Sequence, residues 1–315
     1  MEFLRESELM VGLSLESASF TVGSALIVAL AGWSAPTAQA QDEARQNAVD
    51  KVVEQVQQGA DKASLPVALS IDHARLARRA GSPMPPSTVV MVRDPDLETS
   101  WLQADPDLAL ELPLRVLVHQ PTSQPSPRVS RQNGASLLQR HGLSNPSLAG
   151  QYDRSMVSLL QQVPNSAVQG VPAFKRAGDG IVSIPSPLDL KETLARVLEI
   201  IDEQSDTVLF DVIQFNVTDE AAEQGAPAPV TLVLFGGPGP GGRAMADATL
   251  LGLDAFCQKM LIRRDAEGQV VVRFNDLTWI AARQGMGVSP VLQAINTRLI
   301  NTFGQGLTRE QPASK

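Results

Sequence analysis

Asp72-His73-Ala74-Arg75 places a carboxylate, an imidazole and a guanidinium within four residues, at the end of the apolar run Leu65–Ile71. These types suit a small-ligand site, with His73 as ligand or general base and Arg75 holding an anion. Adjacent side chains of a strand face opposite ways, so Asp72 and His73 cannot form a direct dyad unless a bulge or strand end intervenes. The alternative is a strand-terminal pair with structural hydrogen bonds. Arg115 and His119 bracket a second apolar run, Val116–Val118, which could bring His119 near the same place. The candidate ligand-binding set is therefore Asp72, His73, Arg75, Arg115 and His119, with no catalytic residue assigned. No HxxxH or CxxC spacing is present, so neither a metal nor a cofactor is expected. His141 fits a helix C-terminus.

Other chemistry-bearing features have plainer readings. Gly236–Gly242 sits between a strand and a helical run, the context of a phosphate cradle, but the Lys-Ser/Thr of such loops is missing. Pro238 and Pro240 remove two donors, which leaves a structural turn. Cys257 is the one cysteine, so no intramolecular disulfide can form, and Ala255-Phe256-Cys257 reads as buried apolar chain. No Gly-x-Ser-x-Gly elbow and no Ser, His and Asp spacing suggests a triad. Asn216-Val217-Thr218 matches a glycosylation sequon and carries little weight in a chain that reads as bacterial.

These residues need elements to hold them. At 315 residues the chain has room for two domains. A net charge of −8, with 4% aromatic residues and no dense basic run, argues against nucleic acid, whose phosphates require Lys and Arg. Phe20–Trp33 is apolar but short for a membrane span, and Ala38-Gln39-Ala40 follows as a small-x-small cleavage site. The expectation is a signal peptide over 1–40 and a periplasmic or secreted protein with no transmembrane span in the mature chain. The acidic start, with Glu2, Glu6, Glu8 and Glu16 against Arg5, departs from the usual positive n-region.

The rest of the chain repeats. Val129-Ser130-Arg131-Gln132-Asn133, a helical turn and Gly142 correspond to Val272-Arg273-Phe274-Asn275, a helical turn and Gly285. Asn133 and Asn275 are the expected N-caps. Asn145-Pro146 and Ser289-Pro290 each open an amphipathic helix. Further upstream, Arg115–His119 pairs with Lys259–Arg263, and Thr88–Val92 with Thr231–Phe235. Each half opens with a helix, Asn47–Gln58 and Leu188–Glu203, the second capped by Ser186 with Pro187 at its first position. Strands and helices alternate irregularly, which predicts an α+β protein of two similar domains. The boundaries are 41–165 for the first with its trailing helix, 166–180 for a linker, 181–309 for the second, and a tail over 310–315. An extra strand, Gly180–Ser186, precedes the second domain's helix.

Asp72-His73-Ala74, the strand Val89–Val92 stopping at Pro95, and Leu110-Glu111-Leu112-Pro113-Leu114-Arg115 together resemble the family known as domain of unknown function 302. The resemblance implies a β-α-β4-α fold, each copy a mainly antiparallel sheet packed with helices, sometimes paired in tandem. It brings no activity with it. The second copy departs from the pattern: it has no Asp-His pair near Val212–Phe215, and Phe256-Cys257-Gln258 stands where the family has Leu-Pro-Leu. The expected function is a non-enzymatic binding or interaction protein for an unidentified small molecule or protein, its two repeats packed as an intramolecular pseudo-dimer. The alternative is an enzyme or sensor with a small-ligand site around Asp72 and His73.

Overall fold

A computed structural model describes residues 37–215 and 229–308, so most of the expected signal segment, the sequon and the tail lie outside the described residues. Helix α1 (Ala38–Lys62) is capped by Thr37 and buries Val49, Val56 and Ala60 along one face. It begins well before the expected Asn47. Residues 38–46 lack apolar periodicity, but their Ala, Gln, Glu and Arg are good helix formers.

The first sheet has the order β1-β2-β3-β4-β5, from Val67–Asp72, Ser87–Val92, Leu114–His119, Arg128–Arg131 and Val168–Gly170. All neighbours are antiparallel except β4 and β5. Between strands lie α2 (His73–Arg79) and α3 (Pro95–Ala104), and after β4 come α4 (Gly134–Arg140) and α5 (Pro146–Leu159). The second sheet has the order β6-β10-β9-β8-β7 and is wholly antiparallel. Its strands are Ile181–Ser186, Val208–Phe215, Val230–Gly236, Gln258–Arg264 and Val270–Asn275, in chain order β6 to β10. Its helices are α6 (Leu190–Asp202), α7 (Pro238–Met245), α8 (Leu277–Arg283) and α9 (Pro290–Thr308). The α+β class and the tandem repeat are those expected. Among the described residues no helix is long and apolar enough to cross a membrane.

Every residue of β2 and β3 is buried. Their sequences show why: Val89-Val90-Met91-Val92 and Val116-Leu117-Val118 are continuous apolar runs rather than alternating ones, the mark of strands covered on both faces. Helix α1 packs on β2 and β3. The 3-10 turn Thr249–Leu253 of the second repeat also packs on β2, β3 and β4, and the first repeat's 3-10 turn, Pro106–Glu111, packs on β8 and β9. Each repeat therefore inserts one turn into the sheet of the other.

Several local expectations need correction. Asn133 caps α4, but α8 is capped by Asp276, and Asn275 is the last residue of β10. Ser186 ends β6, and α6 is capped by Asp189 in a reciprocal capping box with Glu192. Helix α2 follows β1 directly where the sequence suggests a strand-terminal pair: Asp72 accepts from the Arg75 amide 2.8 Å away and so caps it. The segment 166–180 is more than a spacer. Its strand β5 extends the first sheet in parallel with β4, and Phe174 beyond it is buried. The first sheet thereby gains the edge strand that β6 supplies to the second.

Candidate functional site

The five candidate residues separate into two groups. Asp72 and Arg75 face outward: Arg75 pairs with Asp72 and Asp50 at 2.6 Å each, and about half its side chain is exposed. His73, Arg115 and His119 face inward and meet the second repeat. His73 and Asp72 diverge because the strand ends at Asp72 and His73 begins a helix.

The inward group clasps the Thr249–Leu253 turn. His119 Nδ1 lies 2.8 Å from Thr249 Oγ1, and its Nε2 lies 2.9 Å from Ser130 Oγ. Burial pushes the His119 imidazole down to about 4. His73 is also pushed down to about 4 by burial, against an opposing hydrogen bond with the Gly252 backbone. Arg115 donates to the Leu253 carbonyl at 3.1 Å and to Asp254 at 2.7 Å. Gly252 has no room for a side chain, since a Cβ there would lie 2.9 Å from Leu117 Cδ1 and 3.0 Å from His73 Cδ2.

The second repeat returns the grip. Lys259, the second residue of β9 as Arg115 is of β3, donates to the Leu110 carbonyl. Arg263, sixth in its strand as His119 is in β3, pairs with Asp107, as does Arg273. Between the clasps lies a buried charge network. Glu111 accepts from Arg140 at 2.7 Å and contacts His141 Nε2 at 3.0 Å; Asp254 accepts from Arg115, Arg283 and Gln132. Burial opposes ionisation of Glu111, yet Arg140 and His141 hold its carboxyl well below the usual range. Burial, with Arg115 beside it, pushes the Lys259 ammonium down to about 7. Phe174 lies against Arg283 and Arg140, with guanidinium-to-ring distances of 3.9 and 4.5 Å, and stacks on Trp279.

The glycine-rich run serves the same contact. Gly236 ends β8, and the following glycines enter α7, which packs on α2 of the first repeat. A Cβ on Gly242 would lie 2.5 Å from Ala77 Cβ and 2.6 Å from the Ser82 carbonyl oxygen, so glycine permits the close helix approach.

Two cavities flank Phe256-Cys257-Gln258, where the second copy departs from Leu-Pro-Leu. The larger, about 80 Å³, lies in the second repeat and is walled by Phe235, Phe256, Ile295, Leu299 and Phe303. Gln258 lines it, is 5% exposed, and donates through Nε2 to the Ala255 carbonyl at 2.5 Å. Its Oε1 has no hydrogen-bond partner. At the rim, Arg298 pairs with Asp206 and Gln204. Sequence reasoning missed this site, because its walls come from separate elements and Gln258 looked like a lapse from the family pattern. That lapse was the available signal.

The sequence matches the family described as Domain of unknown function DUF302 twice, at residues 42–163 and 182–304, over more than half of its length. The chain belongs to that family as a tandem repeat. A crystal structure of an uncharacterized conserved DUF302 protein from Bacillus stearothermophilus is 18% identical, with a TM-score of 0.31, covering 41% of this chain and 95% of that one. Two curated proteins named Fluoride-specific ion channel FluC 1, from Brucella suis biovar 1 and Brucella abortus biovar 1, are each 31% identical over 110 residues. That alignment covers 35% of this chain and 42% and 40% of theirs, so the chain spans about two fifths of those relatives.

Proposed function

We propose that this protein is a non-catalytic binding protein in which the first repeat is the permanent partner of the second, and the second holds the ligand. Supporting this, His73, Arg115 and His119 engage the neighbouring repeat, which leaves Asp72 and Arg75 as an exposed ion pair. The observation that carries the reading is the apolar pocket with a buried, unpartnered acceptor, Gln258 Oε1. Ligand pockets are mostly apolar with a few polar groups that fix orientation. The pocket suits a small aromatic or short alkyl group bearing one hydrogen-bond donor for Gln258, with any polar remainder at the Arg298–Asp206 rim.

Phenol and toluene test this, since they match in size and differ in the donor. In ligand-observed NMR, phenol binds the parent protein more tightly than toluene. Gln258→Leu abolishes that preference, and Leu299→Trp, which fills the pocket, removes both. Binding of neither probe, or binding untouched by Leu299→Trp, contradicts the reading. The fluoride-channel name belongs to proteins of which this chain spans two fifths, and the reading does not rest on it. Export forms part of the proposal on the strength of the apolar stretch and the Ala38-Gln39-Ala40 motif. Mass spectrometry of the mature N-terminus checks it, and an intact Met1 counts against cleavage.

A further inference from the structure

The smaller cavity, about 20 Å³, lies between the repeats. It takes His73 from the start of α2, Met245 from the end of α7 and Cys257 from the approach to β9. All three are buried, at 6%, 2% and 3% exposure. The volume suffices for one occupant the size of a water molecule. His73 Nε2 has no hydrogen-bond partner, in an interior where polar atoms are nearly always satisfied. Cys257 is a free thiol that makes a long 3.5 Å approach to the Gln258 carbonyl and also meets the Phe235 backbone.

The remaining wall is apolar side chains and glycines, with no carboxylate. Calcium and magnesium require oxygen ligands and would find none from side chains there. Among the described residues no group of three His, Cys, Asp or Glu side chains is placed to hold a metal ion. Here the third donor is a thioether, and thiolate with thioether is the donor chemistry that selects soft cations.

We propose that this cavity binds one soft monovalent cation, Cu(I) or Ag(I), through Cys257 Sγ, Met245 Sδ and His73 Nε2. As the sulfur–metal bond forms, the Cys257 proton leaves to solvent. The imidazole gives its Nε2 lone pair and keeps its proton on Nδ1. One thiolate and one monovalent cation cancel, so no net charge is buried, as a site this dry requires. Because His73 belongs to the first repeat and both sulfurs to the second, the ion would fasten the two together. This site is separate from the Gln258 pocket and stands or falls independently of it.

The test titrates the full, reduced protein anaerobically with the Cu(I)–bicinchoninate complex. One Cu(I) per chain is taken from the chelator, and Zn(II) offered in its place is not retained. Cys257→Ser and His73→Phe each weaken Cu(I) binding at least about tenfold, the lower end of what losing even a supporting group costs a metal site. Met245→Leu conserves volume and fold, verified by circular dichroism, and weakens binding as well. Failure of the parent protein to take copper overturns the proposal without recourse to any variant. Uptake by Cys257→Ser or Met245→Leu equal to the parent overturns it too.

Discussion

The first and second repeats meet through the same positions with different chemistry. Arg115 and Lys259 both reach a carbonyl of the opposite 3-10 turn from the second residue of their strands. At the sixth residue His119 clasps Thr249 by neutral hydrogen bonding, while Arg263 clasps Asp107 as an ion pair. Immediately before these strands, Leu112-Pro113 and then Leu114 are buried and apolar in the first repeat. Phe256-Cys257-Gln258 in the second puts a thiol and an amide beside two cavities. The first repeat keeps the Leu-Pro-Leu strand start and uses His73, Arg115 and His119 for assembly. The second departs from that strand start and carries a thiol and an amide whose Oε1 has no hydrogen-bond partner.

The largest loss of stability is expected at the shared charge network. Asp254→Ala leaves Arg115 and Arg283 buried without their carboxylate, and urea unfolding should show a loss of about 3–5 kcal/mol. A loss below about 1 kcal/mol, the scale of an exposed pair, would mean that the network does not join the repeats. Gly252→Ala forces a Cβ against Leu117 and His73, an overpacking cost of about 1–3 kcal/mol by the same measurement.

Acid distinguishes the two clasps. The folded pKa of His119, about 4, lies below its ordinary 6.5, so the unfolded chain takes up the proton first. Its contribution to stability is intact above pH 6.5 and is lost progressively as pH falls toward 4. Stability profiles over that window should be less steep for His119→Gln than for the parent, whereas Arg263 does not titrate there; parallel profiles would refute the assignment. The smallest effect belongs to the exposed pair, where Arg75→Ala should change stability by less than about 1 kcal/mol.

Much of the architecture was legible in the sequence. Periodicity located nearly every strand, Gly142 and Gly285 both adopt φ of +73° after their helices, and Asn133 and Asn145 cap as their types require. Asn275 misled because the next residue, Asp276, is an equally good cap, and a one-residue choice is below the resolution of a pattern. Asp72-His73-Ala74-Arg75 looked like a site because its types were read together. Only the bend from β1 into α2 shows that alternate residues serve a surface ion pair and a buried interface. The Gln258 pocket was illegible for a different reason. Its walls are ordinary core residues of α6, β8 and α9, and nothing in any one segment says that they leave a space.

If the exchanged turns and the shared charge network hold the molecule together, the two repeats unfold as one cooperative unit. In a Trp33→Phe background, Trp101 lies in α3 of the first repeat and Trp279 in α8 of the second, so Trp279→Phe and Trp101→Phe leave one reporter apiece. Equilibrium urea unfolding followed by tryptophan fluorescence should give superimposable transitions with a common midpoint in the two variants. Transitions at separate midpoints, with one repeat unfolding while the other stands, would contradict it.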